Sequence, residues 1–302
     1  MNILLTGAAG LIGMAARKAL VARKHEVTAI NITDFGRNDS ELIRLGLAER
    51  APLETLIANR GVEAIVHCGA ISGPMLAKGQ PLQLVSANID ATALLLDIAR
   101  THRMRRFVFC SSISVYGDVG NAVITEGTPL HPTSVYGATK VACEQLIEGF
   151  AAEYGLHGVS LRIARVYGPF RRANCHIGAM IRDASAGRST EIACGADFPF
   201  HYVYVDDVAD ALCAALEAPV APGAAYNICG PAAMTMPEIV AVARRVLPGA
   251  RIAITPGEDD VPDVQTAFDL TRARQKLGWA PVRDMAAGIQ AYAEAISGGR
   301  AA

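Results

Sequence analysis

The run Thr6-Gly7-Ala8-Ala9-Gly10-Leu11-Ile12-Gly13 follows at once on a short apolar strand, Ile3-Leu4-Leu5, and passes into a helical pattern from Met14 to Arg23. Strand, glycine turn, helix is the context that a dinucleotide-binding turn requires. The glycines let the backbone turn tightly and approach a pyrophosphate. The helix behind them offers free N–H groups and a dipole that favours an anion. The spacing is G-x-x-G-x-x-G, and its place directly after the first strand gives it weight. A nucleotide cofactor is expected here.

Moving outward, Val27-Thr28-Ala29-Ile30 reads as the second strand. An acidic residue at its end would take the ribose hydroxyls. That place holds Asn31, with Asp34 three residues on and Arg37 nearby. Asn31 and Asp34 are the candidate ribose contacts. NAD is the expected cofactor, with NADP possible, because Asn does not repel a 2′-phosphate. Ala64-Ile65-Val66-His67-Cys68 is the next clear strand, and Gly69-Ala70 at its end let a flat ligand lie against backbone. His67 reads as a core histidine. A helix is expected from about Ser86 to Arg100. Phe107-Val108-Phe109-Cys110 is a fully apolar strand that stops at Ser111-Ser112-Ile113-Ser114-Val115-Tyr116-Gly117. Functional side chains gather at such strand ends in a parallel sheet.

Ser134-Val135-Tyr136-Gly137-Ala138-Thr139-Lys140 opens a helix. Pro132 cannot continue one from before it, and Thr133 or Ser134 supplies a capping oxygen. Tyr136 and Lys140 then lie one turn apart on one face. A phenol beside an ammonium makes a base. A free phenol titrates near ~10, so ionising it at neutral pH needs about 4 kcal/mol, which one cation at ~4 Å supplies at an effective dielectric of ~20. Val159 to Ile163 is a further strand, leading into Ala164-Arg165-Val166-Tyr167-Gly168-Pro169. The pattern then becomes irregular. Later elements are a strand at Tyr202–Val205, a helix from Val208 to Ala218, a strand at 225–228, and helices at 237–246 and within 271–297.

The chain has 302 residues, 51% hydrophobic and 19% charged, with a net charge of −1. No basic field for nucleic acid or anionic membrane is present. No signal peptide and no bilayer-crossing apolar run is expected. Seven scattered cysteines show neither a C-x-x-C pair nor metal spacing, so no metal is expected. Reduced thiols in a cytoplasmic protein are the expectation.

In this order the motifs resemble those of the extended short-chain dehydrogenase/reductases, also called the NAD-dependent epimerase/dehydratase family. The parts are Thr6 to Gly13, Val66-His67-Cys68-Gly69-Ala70, Asn88, Ser111 to Gly117, Tyr136 to Lys140, Leu161-Arg162 through Gly168-Pro169, Val205-Asp206-Asp207-Val208 and Leu277-Gly278-Trp279-Ala280-Pro281. The resemblance implies an α/β, Rossmann-type doubly wound parallel sheet with a smaller C-terminal substrate-binding lobe. It implies a dinucleotide domain over 1–166, with 202–218 returning to it, and a lobe over 167–201 and 219–302. Gly7, Gly10, Leu11, Ile12, Gly13, Leu47, Cys68, Gly69, Ala70, Asn88 and Ile163 would border the cofactor. Ser112, Tyr136 and Lys140 would be catalytic, with Tyr136 and Lys140 also meeting the nicotinamide ribose. Ser72, Ser112, Ser114, Arg165, Arg171 and His201 would meet a small-molecule substrate. A homodimer through helices near 88–100 and 134–153 is implied, with no nucleic-acid or membrane partner.

Departures from the family pattern bear on the substrate. Asn31 replaces the acid after the second strand, and Gly46 stands where an Asp near the adenine is usual. Phe200 stands where a diphosphate-binding arginine is usual, and the turn Ile254 to Asp260 is acidic. A sugar or sugar-acid dehydrogenase is therefore favoured. The alternatives are a nucleotide-sugar epimerase or dehydratase that retains NAD, and a non-catalytic dinucleotide sensor, which would have no need of a base.

Overall fold

The computed structural model describes residues 1–73, 79–172, 175–259 and 261–298. In chain order the elements are β1 (Asn2–Thr6), α1 (Leu11–Ala22), β2 (Glu26–Asn31), β3 (Ile43–Arg44), α2 (Arg50–Arg60), β4 (Ala64–His67), α3 (Pro81–Val85), a π turn (Ser86–Asp90), α4 (Ala91–Thr101), β5 (Arg106–Ser112), β6 (Gly120–Ile124) and α5 (Val135–Tyr154). There follow β7 (Gly158–Ile163), β8 (Arg165–Tyr167), α6 (His176–Ser185), β9 (Ser189–Ala193), β10 (Tyr202–Tyr204), α7 (Val205–Glu217), β11 (Ala224–Ile228), α8 (Met236–Val246), β12 (Arg251–Thr255), β13 (Gln265–Phe268), α9 (Thr271–Leu277) and α10 (Met285–Ser297).

The central sheet has seven parallel strands in the order β11-β7-β5-β4-β1-β2-β3. The chain runs outward from β1 through β2 and β3, then returns to β4 on the other side of β1. That reversal leaves a crevice at the C-terminal ends of β1 and β4, where a doubly wound sheet binds ligands. Alternating side chains serve opposite faces. Leu4, Ile65, Phe107 and Phe109 pack with Leu53, Leu95 and Ile147 on one face. Ile3, Leu5, Val66, Val108 and Leu161 pack with Ala16, Leu20, Val208 and Leu212 on the other. At about 25 cal/mol per Å² of apolar surface removed from water, these two layers carry most of the stabilisation.

Around the C-terminal edge lie three two-stranded parallel pairs, β8–β10, β9–β12 and β6–β13. The stretch after Pro169 that lacks a legible pattern supplies α6 and β9. Residues 224–228, expected in the lobe, instead form β11 and extend the main sheet by pairing with β7. All five are buried, which a sheet edge covered by its neighbours allows. Helix α1 begins at Leu11, three residues before the expected Met14. The helical span expected from Ser86 starts at Pro81, whose missing N–H is harmless in a first turn. That span, Pro81–Thr101, has the length and mean hydropathy (1.3) to cross a membrane, unlike the expectation from sequence. Its face formed by Leu84, Leu95, Leu96 and Ile98 is buried inside the molecule.

Candidate active site

Gly7 has φ +67°, and a Cβ there would come within 2.6 Å of the Cys68 carbonyl. A Cβ at Gly13 would fall inside the radius of Gly7 O. Only glycine lets β1 turn this tightly against the end of β4 and pass into α1. Gly10 caps α1 without a side-chain acceptor, so among the described residues no side chain takes the first-turn N–H groups of Leu11, Ile12 and Gly13. All three residues line a cleft of about 1030 Å³. These features fit a dinucleotide pyrophosphate.

Helix α5 starts as the sequence predicts. Ser134 Oγ accepts the Gly137 N–H at 3.1 Å. Tyr136 lines the cleft and Lys140 lies beneath it. Lys140 Nζ donates to Cys110 O at 2.7 Å and sits 5.8 Å from the Tyr136 ring centre and 4.5 Å from that of Phe109. No carboxylate pairs with it among the described residues, so its charge is left for the phenol. Ser112, at the end of β5, accepts the Ser114 N–H at 3.2 Å. A Cβ at Gly137 would strike Ser114 O and approach Pro132 Cβ to 2.9 Å, so glycine is what lets α5 press against the serine loop. Gln265 braces that loop from the other side. Its Nε2 donates to Ile113 O (3.0 Å) and Gly117 O (2.8 Å).

A buried hydrogen-bond chain ties the ends of β1 and β4 to α5. Gly69 N–H donates to Thr6 Oγ1, which donates to His67 Nδ1 at 2.6 Å. His67 Nε2 donates to Thr92 Oγ1 (3.1 Å), whose proton goes to Asn88 O (2.6 Å). That commitment of the Thr92 proton fixes the imidazole as the Nε2–H tautomer. Burial, with the Lys140 charge nearby, pushes the His67 imidazole down to about 3, so it is neutral. Asn88 accepts the Ile71 N–H (2.9 Å) and donates to Thr139 Oγ1 (3.0 Å), which donates to Tyr136 O (2.8 Å).

Of the residues singled out from sequence, the cleft gathers Gly7, Gly10, Leu11, Ile12, Gly13, Cys68, Ala70, Ser72, Ser112, Ser114, Tyr136, Ile163, Arg165, Arg171 and His201. Asn88 is not among the residues that line the cleft; it is buried and holds Ile71 and Thr139. Asp34 is already engaged. Its carboxylate takes Arg44 at 2.8 Å and the Gly36 N–H at 3.0 Å, and these hold it below its ordinary range. Asn31 donates to Thr33 O at 2.6 Å. Leu47 stands behind Gly69, its Cδ1 3.0 Å from where a Cβ at Gly69 would lie.

At the far end of the cleft, Arg165 is engaged. It meets Asp259 at 2.6 and 3.2 Å and Val261 O at 3.0 Å. Burial opposes the charge on Asp259, yet contacts from His176 and Arg165 outweigh it and hold the carboxyl down at about 2. His201 is buried with neither ring nitrogen hydrogen-bonded among the described residues, edge-on to Phe268 at 4.7 Å. Arg171 donates to Val166 O at 2.7 Å and leaves a buried Nε without a partner among the described residues. Arg182 also lines this end. Sequence reading missed Phe35, Phe170, Arg182, Asp259, His176 and Gln265. Only the acidic turn at 258–260 signalled any of them, and Asp260 lies outside the described residues.

Residues 3–229 match the family model described as the NAD dependent epimerase/dehydratase family. The chain is 30% identical over 313 residues to the UDP-glucose 4-epimerase of Mycolicibacterium smegmatis, covering 96% of each. It is 27% identical over 324 residues to the dTDP-glucose 4,6-dehydratase of Neisseria meningitidis serogroup B, covering 96% of this chain and 91% of that one. Among solved structures it resembles the UDP-glucuronic acid 4-epimerase of Bacillus cereus in complex with UDP-glucuronic acid and NAD, with a TM-score of 0.86, 25% identity and 99% of both chains covered.

Proposed function

For a chain that belongs to the NAD dependent epimerase/dehydratase family, we propose hydride transfer at a hydroxyl-bearing carbon of a small sugar or sugar acid, with NAD as cofactor. In this reading Ser112 Oγ hydrogen-bonds the reacting oxygen and holds it toward Tyr136. The Tyr136 phenolate takes the hydroxyl proton onto its oxygen, and the Lys140 ammonium below stabilises the phenolate that must exist before that transfer. When bound, the nicotinamide supplies the hydride acceptor. The glycine turn and the first turn of α1 would hold its pyrophosphate, and Cys68 and Ala70 would floor the site.

The observation that carries the substrate preference is the commitment of Arg165 to Asp259, beside a fully buried Phe200. A diphosphate in a partly desolvated cleft costs several kcal/mol unless cations meet it, bidentate arginine contacts are the usual remedy, and Arg165 is taken up by Asp259. Arg171, with its unpartnered buried Nε, suits a single carboxylate. The second reading, a nucleotide-sugar epimerase or dehydratase, is favoured by the names of the relatives. A screen of sugars, aldonates, uronates and nucleotide sugars tests both, following nicotinamide absorbance and product stereochemistry by NMR. Net NAD reduction with an aldonate or uronate supports the first reading. Efficient epimerisation of a UDP- or dTDP-sugar without net cofactor change replaces it with the second.

The same proposal includes the division into a dinucleotide domain and a substrate lobe, and a homodimer through α4 and α5. Light scattering at micromolar concentration tests it.

A further inference from the structure

Two of the cysteines touch. Cys68 follows β4 and Cys110 lies in β5, and these strands are parallel neighbours with His67 opposite Phe109. One step further along puts Cys68 beside Cys110, with both side chains on the face away from His67 and Phe109. Cys110 Sγ donates to Cys68 Sγ at 3.4 Å, the one hydrogen bond between thiols among the described residues. Neighbouring strands run about 4.8 Å apart, within the Cα separation of about 4.4–6.8 Å that a disulfide spans. Cys68 is part-exposed and lines the cleft with Gly7, Ser112 and Tyr136, whereas Cys110 is buried beneath it. Both backbones serve the site. A Cβ at Gly7 would come within 2.6 Å of the Cys68 carbonyl, and Cys110 O takes the Lys140 ammonium at 2.7 Å. Neither thiol takes part in the proposed hydride transfer.

We propose that Cys68 and Cys110 form a redox-sensitive dithiol in the cleft floor, which a peroxide closes to a disulfide and a thiol reductant reopens, and whose closed form binds the dinucleotide more weakly. Cys68 is the sulfur that a small oxidant reaches from the cleft. Its sulfur attacks one peroxide oxygen, the O–O bond breaks, the thiol proton leaves with the other oxygen as water, and Cys68 becomes a sulfenic acid. The Cys110 sulfur then attacks the Cys68 sulfur, the S–O bond breaks, and the hydroxyl leaves with the Cys110 proton as a second water. Two thiols are oxidised and one peroxide is reduced. The hydrogen bond from Cys110 and burial push the Cys68 thiol up, against the pull of the Lys140 ammonium. The resting pair is therefore protonated, and the first step is slow. A covalent bond draws the sulfurs closer than 3.4 Å, so the ends of β4 and β5 must shift. That shift disturbs the packing of Cys68 on Gly7 and the hold of Cys110 O on Lys140.

The effect on the cofactor rests on the cleft being a dinucleotide site, whereas the disulfide does not, and one experiment reads them apart. The intact protein is treated with hydrogen peroxide, with and without saturating NAD, then alkylated, digested and mapped by mass spectrometry. NAD is titrated by calorimetry before treatment, after it, and after reduction with dithiothreitol. The expected product is a cross-linked peptide pair holding Cys68 and Cys110, with the other cysteines alkylated. Bound NAD covers Cys68 and is expected to slow the cross-link. Closure is expected to weaken NAD by about tenfold or more, the worth of one lost hydrogen bond to a charged group, and dithiothreitol to restore it. In Cys110→Ala the sulfenic acid has no partner, so dimedone is expected to capture it on Cys68. Recovery of Cys68 and Cys110 as separate alkylated or sulfinic residues in the treated parent overturns the dithiol. A cross-link that leaves NAD affinity unchanged overturns its control of binding. A cross-link in a protein that never binds NAD overturns the dinucleotide reading and leaves the dithiol standing.

Discussion

In the proposed mechanism, Tyr136 is the residue on which the chemistry turns. Replacing it with Phe removes one oxygen and leaves the ring, the helix and the glycine turn in place. Turnover is expected to fall by about 10²–10⁴-fold, the usual worth of a positioned proton-transfer group, while the NAD dissociation constant stays within about threefold. Near-normal turnover of an identified substrate by Tyr136→Phe would falsify the proposed mechanism. At this scale the sequence was legible where partners are close along the chain. Tyr136 and Lys140 are one helical turn apart, and Ser134 caps its own helix. It was illegible where a side chain's partner is remote. Arg165 meets Asp259 across 94 residues and Gln265 meets Ile113 across 152. Nothing in either local pattern announces such a bond, so Arg165 read as a free cation and Gln265 went unnoticed.

Helix α5 and the serine loop meet at Gly137. Helix propensity alone favours Ala there by about 1 kcal/mol. A Cβ would nevertheless press on Ser114 O and Pro132. The helix start or the loop must therefore give way, and either movement separates Tyr136 from Ser112. Gly137→Ala is expected to lower kcat by about 10–100-fold, the scale of a sub-ångström to 1 Å misplacement, with helical content and NAD affinity unchanged. Unchanged kcat would show that this approach does not set the catalytic geometry. Elements of the central sheet were legible because their strands are buried on both faces and read as continuous apolar runs. The small pairs β6–β13 and β9–β12 were not. In β6, Asn121, Ala122 and Val123 are exposed, so its sequence carries no strand period to read. Its strand character comes from β13, some 145 residues later.

For the whole molecule, the buried histidine chain makes an acid liability. His67 bridges β1, β4 and α4 through Thr6 and Thr92 and stays neutral down to about pH 3. In the unfolded chain it protonates near ~6.5. Below that pH the unfolded state binds one more proton, so stability falls as pH drops, and the fall ends only at the folded value near 3. The ceiling is about 4 to 5 kcal/mol, at about 1.36 kcal/mol per unit. His201, also depressed by burial, adds a loss of the same sign. Asp259 acts separately. Its folded value near 2 lies below the ordinary carboxylate value, so its contribution is present above ~4 and lost as pH falls toward 2. Between pH 6 and 4.5 the histidines therefore dominate. His67→Gln keeps a polar side chain but cannot take up the proton. Urea denaturation across that window is expected to show a slope smaller by about one proton, or roughly 1.36 kcal/mol per pH unit, in His67→Gln than in the parent. The slope isolates the proton from any uniform loss of stability that the substitution causes. Parallel pH profiles for the two proteins would mean that His67 protonates in the folded state, and the neutral bridge between the ends of β1 and β4 and helix α4 would have to be abandoned.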